Sequence, residues 1–327
     1  MDRDKSIDIA KGIGIILMVW GHEVCPIYNQ IYLFHVPLFI IISGILYNKK
    51  DSLSSYFNKK IQSLILPFFK YYFIGFIVWC IYNREQINSL NIIDVFKYEN
   101  LFENGPIWFL ISLFWINILY HIININKYYK IFFIIIITIL GLHMIKIKVD
   151  YMFITPSLIM LFFYYFGDIS KKMFLSYNVK LFIVFSSILI YGITLTLTNK
   201  YFCNIAALNI DGNIFLYYLF GISGSYVTIF LSKYISHLKY SYLLSRIGEK
   251  SLKILGLHFI FVRPINNLYH NIICNLFHNK ILSLCIKTTY SLIMLFLTIF
   301  FIMLFTYIVE KKSSKNYNNN SQSQSRL

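Results

Sequence analysis

Apolar residues run along this chain in long blocks separated by short polar stretches. A helix needs roughly 20 apolar residues to cross a bilayer, somewhat fewer where the span is short. Against that length the blocks predict about ten spans, near 7–25, 31–47, 64–82, 107–125, 131–145, 151–169, 179–198, 214–232, 251–265 and 284–309. From Ser313 the pattern stops. The stretch "SSKNYNNNSQSQSRL" has no apolar block, so residues 1–312 read as one transmembrane domain and 313–327 as a disordered polar cytoplasmic tail.

Composition strengthens this picture. With 57% hydrophobic residues and only 13% charged ones, the chain holds more apolar surface than a single soluble core buries. The expected class is an all-α integral membrane protein, a polytopic bundle. A secretory signal peptide is the alternative for the opening block, but no small-residue cleavage site follows it, so it reads as an uncleaved first span.

The net charge of +16 is explained by topology. If the N-terminus is inside, twenty of the thirty lysines and arginines fall in cytoplasmic segments, eight fall outside, and Lys11 and Lys70 lie within spans. The bias predicts both termini in the cytoplasm and a multi-pass protein of the cell membrane. Basic loops of this kind face anionic lipid headgroups, so the bilayer is the expected partner and nucleic acid is not. The five cysteines include no CxxC pair, and no HxxxH or HExxH motif occurs, so neither a metal site nor a disulfide framework is expected.

The first span, "SIDIAKGIGIILMVWGHEVC", carries polar guests. At 100° per residue Asp8, Lys11, Ile15, Met18 and His22 share an arc of roughly 80°. Gly12 and Gly14 leave room for a neighbouring helix. The stripe therefore faces the bundle or a cavity. A buried Asp8–Lys11 ion pair with His22 at the outer boundary is the structural alternative. Ionisable groups cost roughly 2.5–3.5 kcal/mol each on insertion scales, which is why they tend to mark sites. The second span, "IYLFHVPLFIIISGILY", adds His35, and the short connection brings it to the same end as His22. Pro37 is expected to free the carbonyl of Leu33 and kink that helix.

Here the residues carry a resemblance. "RDKSIDIAKGIGIILMVWGH" with "FHVPLFIIISGILY", then "GPIWFLISLF", "YYFGDI", "DGNIFLYYLFGISGS" and "SRIGEKSLKILGLHF" in that order, resemble the membrane acyltransferase 3 family. The likeness extends to about Val309, and its style is most similar to sugar and fucose O-acetylases. The family's catalytic histidine falls on His22. Its basic residue eleven positions earlier, often arginine, falls on Lys11, and a lysine offers a point charge where arginine offers a planar fork. Arg3 and Asp8 match the family's basic and acidic positions, and His35 matches its second-span element.

The resemblance implies transfer of an acyl group, acetyl being the expected one, from cytosolic acyl-CoA (acetyl-CoA) to a hydroxyl of a surface glycan or its lipid-linked sugar precursor. A hydroxyl is a weak nucleophile at neutral pH, so the transfer needs a base on its proton or a covalent relay. His22 and His35 are the catalytic candidates. Arg3, Asp8 and Lys11 are the donor-side candidates, with Lys11 roughly 16 Å along the helix from His22.

Further candidates each have an ordinary alternative. Trp108 is a sugar-stacking candidate or an interfacial anchor. Asn213 is an acceptor-binding candidate or a helix cap. His258 is a substrate-binding candidate or a packed core residue. Arg246, Lys250 and Lys253 would meet CoA phosphates or anchor a cytoplasmic end. His121, His143, His237, His270 and His278 have no partner spacing and are assigned no role. The rival function is a transporter or flippase of a lipid-linked sugar, although Pro37 and Pro156 do not interrupt matching spans in the two halves.

Overall fold

The computed structural model describes residues 4–84, 101–102, 104–124, 129–175, 187–189, 192–193, 203–210, 213–273 and 280–324, the last helix as backbone only beyond residue 311. The first helix, α1 (Lys5–His22), is capped by Asp4, whose carboxylate accepts from the Ser6 amide at 2.9 Å. That bond satisfies one of the donors left open at a helix start. Next come α2 (Tyr28–Tyr32) and α3 (His35–Ile45), then α4 (Leu53–Lys60) and α5 (Leu66–Tyr82) joined by a π turn at Ile61–Ile65. A 3-10 turn at Gly105–Ile107 leads into α6 (Trp108–Ile123). Then follow α7 (Lys130–Lys146), α8 (Ile154–Ile169) and α9 (Lys171–Leu175). A small antiparallel hairpin, β1 (Cys203–Asn204) and β2 (Asn209–Ile210), precedes α10 (Ile214–Ser236). The chain closes with α11 (Ser241–Glu249), α12 (Ser251–Leu257), α13 (Phe259–Leu268) and α14 (Lys280–Gln324).

Among the described residues, five helical stretches are long and apolar enough to cross a membrane: Tyr28–Ile45, Leu53–Tyr82, Gly105–Ile123, Ile214–Ser236 and Leu282–Lys311. Ile154–Ile169 is a shorter apolar helix. This is an all-α, multi-pass membrane protein. The expected seventh span, 179–198, lies almost wholly outside the described residues. The expected ninth, 251–265, is covered by α12 and α13, which meet at His258, where the backbone keeps helical torsions and the His258 amide donates to the Ile254 carbonyl at 3.0 Å. The backbone of α14 runs past Ser313 to Gln324.

Pro37 does not kink its helix. The break falls earlier, between α2 and α3, and Pro37 takes a place in the first turn of α3, where a missing N–H leaves no helical bond unmade.

Helices α5, α7 and α14 form the periphery. Phe69 and Ile77 on α5, Phe132 and Ile139 on α7, and Phe296 and Phe305 on α14 point outward, as a lipid-facing surface requires. By contrast α1, with three charged residues in its first seven, packs inside the bundle against α3, α10, α11, α12 and α14. Two backbone-to-backbone crossings hold the interior. A Cβ at Gly248 would stand 1.7 Å from the Asp8 carbonyl oxygen, and one at Gly44 2.1 Å from that of Tyr164. Only glycine permits either approach.

At the end of the bundle away from His22 a buried polar network ties α3, α4, α6 and α8. Tyr56 and Tyr164 both donate to Asn117 Oδ1, at 2.7 and 3.0 Å. His121 stacks on Tyr56 at 4.2 Å and shares a 3.0 Å hydrogen bond with Tyr47. Nearby, Asp168 accepts from Tyr120 and pairs with Lys130 at 3.2 Å. Each bond meets a polar atom that would otherwise be stranded without water.

Candidate active site

One wall of a cavity of about 280 Å³ is the polar stripe of α1: Lys11, Ile15, Met18 and His22. The facing wall is built from His35, Phe39 and Ser43 of α3, Ser63 and Leu64 of the π turn, and Trp108 and Phe109 of α6. Gly248, Glu249 and Ser251, at the junction of α11 and α12, close it beside Lys11. The helical spacing that put four α1 positions on one arc puts them on one cavity wall. Asp8, the fifth, stays out of the cavity, buried, with its carboxylate 3.7 Å from the Lys11 ammonium.

The histidines converge from three helices. His22 ends α1, its Nδ1 3.0 Å from the Tyr32 hydroxyl of α2. His35 opens α3, and its Nδ1 donates to the Ile31 carbonyl at 2.8 Å. A carbonyl only accepts, so Nδ1 carries the hydrogen, and Nε2 is the lone-pair nitrogen of the neutral ring. His258 is fully buried, does not line the cavity, and sets its ring 5.4 Å from that of His22.

Trp108 lines the cavity. It is positioned through Asn104, whose amide donates to the Tyr71 and Gly256 carbonyls at 3.1 and 2.9 Å and so pins the turn that enters α6. Asn213 takes the capping alternative. Its side chain accepts from the Phe215 amide at 2.8 Å as the cap of α10, and it does not line the cavity. Lys250 and Lys253 are also placed elsewhere, both 2.5 Å from Glu310 of α14. Arg3 lies outside the described residues.

Two residues escape sequence reasoning. Tyr32 stands three positions before His35, a spacing that would have flagged it, and it bonds His22 instead of simply packing. Glu249 sits in the "IGEK" stretch, where the cations draw attention, yet it lines the cavity.

The sequence matches the profile described as an acyltransferase domain over residues 4–310. The chain belongs to the acyltransferase 3 family. This member of the acyltransferase 3 family is also similar to "Nodulation protein NolL" of Mesorhizobium japonicum (strain LMG 29417 / CECT 9101 / MAFF 303099), with 27% identity over 129 residues, 35% of this chain and 34% of that protein. The match thus spans about a third of the relative's length. No solved structure matches. Family membership and the apolar helices together describe a membrane protein built around an acyltransferase 3 domain.

Proposed function

We propose that the protein transfers an acyl group, acetyl in the simplest case, from cytosolic acyl-CoA to a hydroxyl of a cell-surface polysaccharide or its lipid-linked precursor, in the cell membrane. The observation that carries this reading is the single cavity running along α1 past both Lys11 and His22, with His35 on the opposite wall. Lys11 is the cation for the donor end, ordered by Asp8, and Arg3 belongs to the same end by sequence. The slot between is lined by Ile15, Met18 and Phe39, which suits a flexible thioester arm.

The hydroxyl oxygen of the acceptor forms a bond to the acyl carbon as the carbon–sulfur bond breaks. Its proton passes to the lone-pair nitrogen of His22, with His35 oriented to assist, and then to the departing thiolate. Trp108 offers an aromatic face for a sugar ring.

The test is purified protein in detergent with acetyl-CoA and a soluble glycan. Acceptor-dependent release of CoA is expected, because transfer chemistry needs no sealed membrane. Failure across several donors and acceptors, with export of unmodified glycan lost in a deletion strain, would favour the transporter instead.

A further inference from the structure

His258 stands where α12 meets α13, and its surroundings are asymmetric. Nδ1 lies 2.9 Å from the Leu255 carbonyl and 3.1 Å from that of Ile254, so this nitrogen carries the hydrogen. Nε2, on the ring edge remote from those carbonyls, is buried without a hydrogen-bond partner among the described residues. The ring's neighbours are His22, at 5.4 Å between centroids, and Phe259 at 5.8 Å.

The same corner gathers further acceptors. Asn266 of α13 donates to the His22 carbonyl at 3.1 Å, and its own Oδ1 is buried without a partner among the described residues. Glu23, the next residue after His22, receives the Thr298 hydroxyl at 3.0 Å on one oxygen, while its other oxygen is similarly unmet. His22 is also the last residue of α1, where the negative end of the helix dipole favours a cation. Buried acceptors lacking donors are costly in a resting protein. The one on His258 becomes favourable when His22, 5.4 Å away between ring centroids, gains a proton.

We propose that His258 is a positioning residue that acts through His22, holding its Nε2 lone pair toward the imidazolium that forms when His22 takes the hydroxyl proton. This rests on the transferase reading above. The other titratable groups facing His22 are Tyr32 from α2 and His35 from α3, with Glu23 following it in the chain. The neutral ring of His258 supplies a fixed dipole without adding a charge to a buried site, as preorganised electrostatics requires.

Two substitutions separate this role from a structural one. In His258→Asn the amide reproduces the Nδ1 donor to the Leu255 carbonyl but leaves no acceptor at the Nε2 position. In His258→Gln the longer amide carries an acceptor to the Nε2 position. Expected is a fall in kcat of about tenfold or more in the Asn variant with the acetyl-CoA KM unchanged, and recovery in the Gln variant to within about threefold of wild type. Full activity in His258→Asn, or equal loss in both, would overturn the proposal. A second measurement does not depend on turnover or on either variant folding: nitrogen NMR of wild-type protein labelled in histidine. A hydrogen-free Nε2 on His258 is expected, and a protonated one refutes the proposal. If the wild type releases no CoA with any donor, the transferase reading fails, while the ring-nitrogen spectrum still decides the state of the pair.

Discussion

The hydroxyl of Tyr32 lies 3.0 Å from Nδ1 of His22, joining the end of α1 to the short helix α2. With Nδ1 engaged, Nε2 is the imidazole nitrogen left for a substrate. Tyr32→Phe keeps the ring, which packs edge-on against those of His22 and His35 at 5.6 and 5.1 Å, and removes only the bond. The expected outcome is a fall in kcat smaller than that of His22→Ala, read by CoA release.

Labour is divided along α1. His22→Ala should lower kcat roughly 10²-fold or more with donor affinity nearly intact, the usual scale of general acid–base catalysis. Lys11→Ala should mainly raise the acyl-CoA KM. Because it also removes the ion pair with buried Asp8, the comparison includes Asp8→Asn/Lys11→Ala, which leaves no carboxylate behind. Loss of donor binding in His22→Ala with kcat preserved would reverse the assignment.

The lysine and arginine distribution predicts which end faces the cytoplasm. Ile27, exposed between α1 and α2, and Asn209, exposed on the hairpin that packs near α2, belong to one end of the bundle. Ile27→Cys and Asn209→Cys should react with an impermeant thiol reagent in intact cells. Ser54→Cys, exposed at the start of α4, should not. The opposite pattern would invert the topology and move the donor side outward.

Gly248 and Gly105 make a matched pair. A Cβ at Gly248 collides with the backbone of α1, whereas one at Gly105 meets nothing within 4 Å. Gly248→Ala should destabilise the detergent-solubilised protein by at least the roughly 1–3 kcal/mol typical of overpacking, and Gly105→Ala should change the thermal midpoint little. Similar midpoints for the two would mean that α1 and α11 cross less closely than described.

Lys250 and Lys253 are engaged by Glu310. Alanine at either should leave the acetyl-CoA KM within about twofold of wild type, and the pair's contribution to stability should be small and salt-sensitive, as for other partly exposed ion pairs. A severalfold rise in KM would return these lysines to the donor site.

What the sequence determined by itself is what helical periodicity and transfer energetics act on locally. A period of 3.6 residues puts Lys11, Ile15, Met18 and His22 on one face whatever surrounds them, and charged groups on a span exclude lipid as their neighbour. The capping use of Asn213 was similarly legible, since a cap bonds its own helix start. Tertiary structure decided everything that depends on residues distant in the chain. It placed α1 at the centre, brought His258 against His22, turned Trp108 into the cavity, and gave Lys250 and Lys253 a carboxylate 60 and 57 residues away. Within the bilayer every helix is apolar on most sides, so hydropathy separates lipid from water but carries almost no information about which helix packs against which. That choice falls to close backbone crossings such as Gly248 on Asp8 and to the few polar atoms that must find partners, and both are settled only when the whole bundle is assembled.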